Sequence, residues 1–253
     1  MKKFVNITQS FENFLNQIPG CVGIDSLPEY SKDNAPTHPD YMLFEGRLII
    51  EIKTLMKSQE KEKFLSVLKK WGFIVYGNCR VDAEMLAQEL PDESKRAAFQ
   101  RELWDIFRNR LQTALKKASE QLRQFEGSPA PEHKRLRMVI LINEDIQAYE
   151  PNTIYQCLQN ILWQQHQERF RGIDAVLYMT HHRRDDGSAI YTLSQGQRFK
   201  SVPNSNEMLN ALMSLWGTYI GVSVGNFIET DAPLSDVSKH LRLYKYMSVS
   251  GES

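Results

Sequence analysis

Asp40, Glu51 and Lys53 stand where apolar strands should carry no charge, in Pro39-Asp40-Tyr41-Met42-Leu43-Phe44-Glu45-Gly46-Arg47-Leu48-Ile49-Ile50-Glu51-Ile52-Lys53. A two-residue turn at Glu45-Gly46 would pair 44 with 47 and 43 with 48, which sets Asp40 opposite Glu51. Side chains alternate faces along a strand, so Glu51 and Lys53 share one face while Leu48, Ile50 and Ile52 share the other. Two carboxylates and an ammonium therefore converge at one end of a hairpin. Burying such a cluster is costly unless a cation or a phosphate completes it. This cluster is the candidate active site.

The elements that must hold these residues follow from apolar spacing. Phe11, Phe14, Leu15 and Ile18 form a helical stripe over 10–18, with Thr8 or Ser10 as cap, Pro19-Gly20 as stop, and Glu12 at the stripe's edge. Cys21-Val22-Gly23-Ile24 reads as a short strand, and the Ser-, Pro- and Asp-rich stretch 25–38 as a loop leading to Asp40. Phe99, Leu103, Phe107, Leu111, Ala114, Ala118, Leu122 and Phe125 predict a long helix over 95–126, ended by Gly127-Ser128-Pro129. Gln121 lies along its apolar seam, where a side-chain amide needs a partner. Between 95 and 125 there are eight Lys or Arg against three acids, so this segment is locally basic; Arg110, Lys117 and Arg123 are the candidate nucleic-acid contacts.

Met138–Ile142 reads as a buried central strand, 153–168 as a helix, Asp174–Met179 as a strand and Ala189–Leu193 as its hairpin partner. A helix over Met208–Trp216 and a polar tail after 230 follow. Segment 57–94 reads as an insertion, with a helical face at Phe64, Leu65, Val67, Leu68 and Trp71, a strand at Phe73–Tyr76 and a short helix at Ala83–Leu90. The order is that of an α/β protein with a mixed sheet, one domain over 1–253 with its core at about 5–182 and a C-terminal extension at 183–253.

Composition narrows the class. The 253 residues are 42% hydrophobic and 25% charged, and the net charge is zero, so a nucleic-acid contact must come from a local basic face. Three scattered cysteines, Cys21, Cys79 and Cys157, exclude a disulfide framework and a zinc ribbon and suit a reducing cytoplasm. No signal peptide and no membrane-spanning run is apparent. His181-His182 lacks a third ligand nearby, and adjacent strand residues point to opposite faces. Arg183-Arg184 and Lys134-Arg135-Leu136-Arg137 are weak phosphate contacts, and Trp71, Trp104, Trp163 and Trp216 read as core.

Pro39-Asp40, ten residues, then Glu51-Ile52-Lys53 resembles the PD-(D/E)xK phosphodiesterase superfamily. The resemblance covers roughly residues 5–145 and implies a restriction-endonuclease-like αβββαβ core. It implies cleavage of nucleic acid, DNA more than RNA, with Mg²⁺ or Mn²⁺ held by Asp40, Glu51 and the Ile52 carbonyl. Lys53 would stabilise the attacking hydroxide and the phosphate charge. Glu12 would join the metal shell through water, as a first-helix glutamate does in many members. Gln121-Leu122-Arg123-Gln124-Phe125 resembles a later-helix glutamine-aromatic motif of some branches, with Phe125 where those carry Tyr. Restriction, phage defence or repair are the family's usual settings, with specificity from a homodimer or a partner subunit. The alternative is a non-cleaving binding or assembly module of the same fold, for which two clustered acids beside a phosphate backbone serve no purpose. A third reading, a structural domain with a chance motif, predicts Asp40 far from Glu51.

Overall fold

The central hairpin forms in the register set by its sequence, and the rest of the chain is layered on it. In the computed structural model, which describes residues 6–31, 36–55, 60–73, 78–81, 83–144, 151–165, 169–183, 189–221 and 247–250, a six-stranded mixed sheet is flanked by helices. Helix α1 (Ile7–Leu15) leads to β1 (Val22–Gly23), β2 (Tyr41–Leu43) and β3 (Leu48–Leu55). Then come α2 (Glu60–Lys70), β4 (Asn78–Val81), α3 (Ala83–Gln88), α4 (Glu93–Gln124) and β5 (Leu136–Asn143). The chain continues through α5 (Pro151–Asn160), β6 (Ala175–Arg183), β7 (Ala189–Gln195), α6 (Ser205–Ile220) and β8 (Met247–Ser250).

The sheet order is β1-β2-β3-β5-β6-β7, with β3, β5 and β6 parallel and the other neighbours antiparallel. A second, two-stranded sheet pairs β4 with β8, a long-range pairing that short polar segments do not announce. Central strands β3 and β5 are buried on both faces, which is why they read as continuous apolar runs. Ile49, Val139, Leu141 and Val176 pack under α4 and α5, while Leu48, Ile50, Ile52 and Ile140 pack under α1 and α6. Each such Leu, Ile or Val contributes about 1.5–3 kcal/mol by leaving water. Helix α2 adds Phe64 and Leu68 to the α4 side, so this part of segment 57–94 is packed onto the core. Residues 189–220, expected as an extension, supply the sixth strand and the helix whose Trp216 stacks edge-on against Phe11 and Phe14.

Several boundaries move. Helix α1 starts three residues earlier than expected, because Asn6 caps it by accepting from the Gln9 N–H at 2.7 Å, a role expected of Thr8 or Ser10. The hairpin turn also shifts. Phe44, Glu45 and Gly46 all have positive φ (50°, 59° and 81°), and Gly46 N donates to Leu43 O. The left-handed pair is thus Phe44-Glu45, with Gly46 following, as an I′-like turn requires. A Cβ on Gly46 would lie 2.5 Å from Ser128 Oγ, whose hydroxyl donates to the Gly46 carbonyl. The helix expected over 153–168 ends at Asn160 and widens into a π turn at Ile161–Gln165. Trp163 is 40% exposed and donates to Gln195 O, so it is a surface residue and not core as expected. The Ile74–Tyr76 part of one expected strand and most of the polar tail lie outside the described residues. Among the described residues no helix is long and apolar enough to cross a membrane.

Candidate active site

Three backbone contacts build the site around Asp40. Its N–H donates to Ile50 O, its carbonyl accepts from Ile24 N, and its Oδ2 accepts from Ile52 N at 2.6 Å. The register pairs Tyr41 with Ile50 and Met42 with Ile49, so Asp40 falls opposite Glu51 despite the shifted turn. A strand residue points its N–H and C=O to the same side, so the Ile52 carbonyl also faces the Asp40 side and away from β5.

Glu51 and Lys53 leave β3 together toward α4. Lys53 Nζ contacts Glu51 Oε1 and donates to Gln121 Oε1 at 3.0 Å. Gln121, on the last turn of α4, is buried and donates its own amide to His38 O at 2.8 Å. The glutamine thus ties helix, strand and the Asp40 loop into one unit. Glu51 is 1% exposed, and its Oε2 finds no donor among the described residues, while the Asp40 carboxyl lies within hydrogen-bond reach of the Glu51 carboxyl, so that one proton can be shared between the two.

Burial comes first in the electrostatics. It raises the Glu51 carboxyl from 4.5 to about 7, with help from the charge of Asp40 and against the pull of Lys53. Asp40 is raised too, by burial, although the Ile52 N–H and Lys53 oppose it. Two carboxyls this close resist carrying two charges unless a cation joins them.

No family model matches the chain, and no curated protein or solved structure matches it either. The reading of the site therefore rests on its own geometry.

Glu12 projects from α1, half-buried, and its carboxyl is raised by burial and by Asp40, which marks it as a neighbour of the pair. Among the described residues no three His, Cys, Asp or Glu side chains form a ready metal cage. Mg²⁺ does not need one, since it is commonly held by one or two carboxylates, waters and substrate phosphate. The donor set of Asp40, Glu51 and the Ile52 carbonyl fits such an ion, and Glu51 Oε2, which has no donor among the described residues, is the atom it would complete.

Of the expected nucleic-acid contacts, Lys117 is exposed and Arg110 partly so. At 100° per residue both share the flank of α4 that carries Gln121. Arg123 is exposed but lies about 200° around from Gln121, so α4 separates it from the site. Arg135, a weak phosphate candidate, instead donates to the carbonyls of Ala130, Phe125 and Ser128. The side chains of His181, His182, Arg183 and Arg184 lie outside the described residues.

Sequence reasoning missed the supports. Tyr30 packs between His38 and Phe125, at 5.0 and 5.6 Å between ring centroids. The His38 ring spans Pro39 O at 2.9 Å and Asp25 Oδ1 at 3.3 Å. Glu144, just past β5, accepts from the N–H groups of Ile7 and Thr8 at 3.2 and 2.6 Å, fixing the start of the helix that carries Glu12. Only the aromatic and histidine within the polar loop 25–38 hinted at the first group; nothing local hinted at Glu144.

Proposed function

We propose that this chain is a metal-dependent nuclease that hydrolyses phosphodiester bonds, with DNA the favoured polymer. The observation that carries the reading is the convergence of two buried, mutually close carboxyls, Asp40 and Glu51, with Lys53 bridging Glu51 and Gln121, and with no donor for Glu51 Oε2 among the described residues. Supporting it is the order α1, β1-β2-β3, α4, β5, with β3 and β5 parallel, which is consistent with a restriction-endonuclease-like core. Asp40 lies beside Glu51 and not remote from it, as a chance motif would have it.

Asp40 and Glu51, with the Ile52 carbonyl, would hold Mg²⁺ or Mn²⁺. A bound divalent ion supplies a water of lowered pKa and neutralises charge on the phosphate. The chain's own residues do the positioning. An ammonium has three donors. Lys53 directs them among Glu51, Gln121 and the opening, where its side chain is 20% exposed, so one remains for a phosphate oxygen as negative charge grows there. Gln121 keeps the lysine from swinging away. Glu12 would order water beside Asp40, and Lys117 and Arg110 lie on the flank along which a phosphate backbone would run.

The test is a cleavage assay on single-stranded, duplex, flapped and RNA substrates, each with and without Mn²⁺. Lys53→Ala should lower metal-dependent cleavage by roughly 10²–10³-fold with an unchanged circular dichroism spectrum. Equal rates in wild type and variant would end the proposal.

A further inference from the structure

The peptide that joins Pro39 to Asp40 decides where the Asp40 carboxylate points. Its C=O and N–H lie in one rigid plane, so turning one end turns the other. At the N–H end, Asp40 N donates to Ile50 O at 3.0 Å. At the C=O end the sheet offers nothing, because Pro39 has no N–H and cannot extend the ladder toward β3. The ring of His38 takes over there. Its Nδ1 lies 2.9 Å from Pro39 O, and a carbonyl only accepts, so Nδ1 donates. A plane held at both ends does not rock, and Asp40 Oδ2 stays 2.6 Å from Ile52 N.

His38 is itself held from several sides. Its side chain is 15% exposed, and the Tyr30 ring meets it edge-on at 5.0 Å between centroids. Tyr30 rests in turn on Phe125, at the end of α4. The other ring nitrogen, Nε2, faces Asp25 Oδ1 at 3.3 Å, but Asp25 is 86% exposed, and pairs of that kind contribute little. The backbone of His38 serves the second half of the site. Its carbonyl accepts from Gln121 Nε2 at 2.8 Å, and Gln121 Oε1 accepts from Lys53 Nζ at 3.0 Å. One residue therefore reaches Asp40 through its ring and Lys53 through its carbonyl.

We propose, on the nuclease reading of this site, that His38 is a positioning residue. Its Nδ1–H sets the Pro39–Asp40 peptide and so aims the Asp40 carboxylate at the ion, while its carbonyl keeps Gln121 and Lys53 in step with it. The ring contacts neither the reacting phosphate nor the basic flank of α4. Its loss should therefore weaken ion binding and slow the chemical step while leaving the hold on the polymer alone.

Three variants separate this role from packing. Leu fills much of the space of the ring against Tyr30 but donates nothing. The Asn amide reaches the Nδ1 position, and the longer Gln amide reaches the Nε2 position, so only Asn keeps a donor for Pro39 O. Mn²⁺ binding is measured by calorimetry without substrate, kcat and KM by cleavage, and packing by thermal melts. His38→Leu and His38→Gln should bind Mn²⁺ at least fivefold more weakly and lose about tenfold in kcat, with KM within twofold of wild type. His38→Asn should stay within threefold of wild type in all three, even where its melt is the lowest of the set. If His38→Leu fails to fold, the Asn and Gln pair decides. An Asn variant no better than the Gln variant, or Leu and Gln variants equal to wild type, would overturn the proposal alone. A wild type that neither binds Mn²⁺ nor cleaves would overturn the nuclease reading and this role with it.

Discussion

Glu51 and Asp174 are the same chemical group at the same depth, 1% and 0% exposed, and the chain treats them oppositely. Asp174 is completed. One oxygen faces Arg137 Nη2 and Arg198 Nε at 3.2 and 3.1 Å, and the other accepts from the Arg137 backbone and side chain and from Arg198. Glu51 is left half-made, with Lys53 on one oxygen, no donor for the other among the described residues, and the Asp40 carboxyl beside it. A buried charge that the protein pairs on every side serves the fold; one with an unsatisfied oxygen needs a shared proton, a water or an ion to complete it, and the proposed function takes the ion.

The largest expected effect breaks or keeps that contrast directly. Asp174→Ala strands the guanidiniums of Arg137 and Arg198, the first of them buried, and should cost about 3–5 kcal/mol in denaturant melts. Glu51→Gln removes a charge that burial opposes and should leave stability within about 1 kcal/mol of wild type or raise it. Equal losses in the two variants would show that both carboxylates are structural.

The next effect concerns pH. The Glu51 carboxyl is raised in the folded chain from 4.5 to about 7, chiefly by burial and then by Asp40. Between these values the folded state binds more protons than the unfolded state, so stability falls as pH rises. The window runs from about 4.5 to about 7, and the loss is at most roughly 3 kcal/mol. Asp40 and Glu12, also raised, act in the same direction. The difference between wild type and Glu51→Gln, measured in urea at pH 5, 6, 7 and 8, should show this fall. Millimolar Mg²⁺ should reverse it at pH 8 in the wild type only. A difference that is flat with pH, or that Mg²⁺ leaves untouched, would contradict the open-carboxylate reading.

The contrast also explains what the sequence could and could not reveal. Asp40, Glu51 and Lys53 are legible because charges interrupt strands with strict alternation, and a register sum carries across the turn even when the turn's own residues are misassigned. Gln121 is legible as a polar side chain on an apolar seam. Asp174 reads only as the first residue of a strand, because its partners Arg137 and Arg198 are 37 and 24 residues away. Glu144 and Ile7, 137 residues apart, and the β4–β8 pairing fail for the same reason: their signal is tertiary. The start of α1 is ambiguous in the sequence because Asn6 lies in a short polar stretch with several possible caps. Residues 25–38 have no periodicity to read, so Tyr30, His38 and Asp25 emerge only once Tyr30 is packed against Phe125 and His38.

The smallest effect is the most discriminating. Around Asp174 every bond is internal, whereas Lys53 is steadied from outside its strand by Gln121, which is itself anchored on His38 O. Gln121→Leu keeps the volume and the seam and removes one hydrogen bond to a charged group, while leaving the His38 carbonyl short of a donor. Such a change costs about 1–3 kcal/mol of stability whatever the role of the residue. If Gln121 only fills the seam, cleavage per folded molecule is unchanged. If it holds the ammonium where phosphate charge develops, kcat should fall about tenfold, near 1.4 kcal/mol, with KM little altered, because the lost contact matters only in the transition state. Gln121→Glu supplies the sharper control. It keeps an oxygen for Lys53 but removes the amide donor to His38 and adds a third acid to a pair that already resists two charges, so it should weaken Lys53's hold on phosphate more than the leucine does. A leucine variant as fast as wild type per folded molecule would assign Gln121 to packing and leave Lys53 positioned by Glu51 alone.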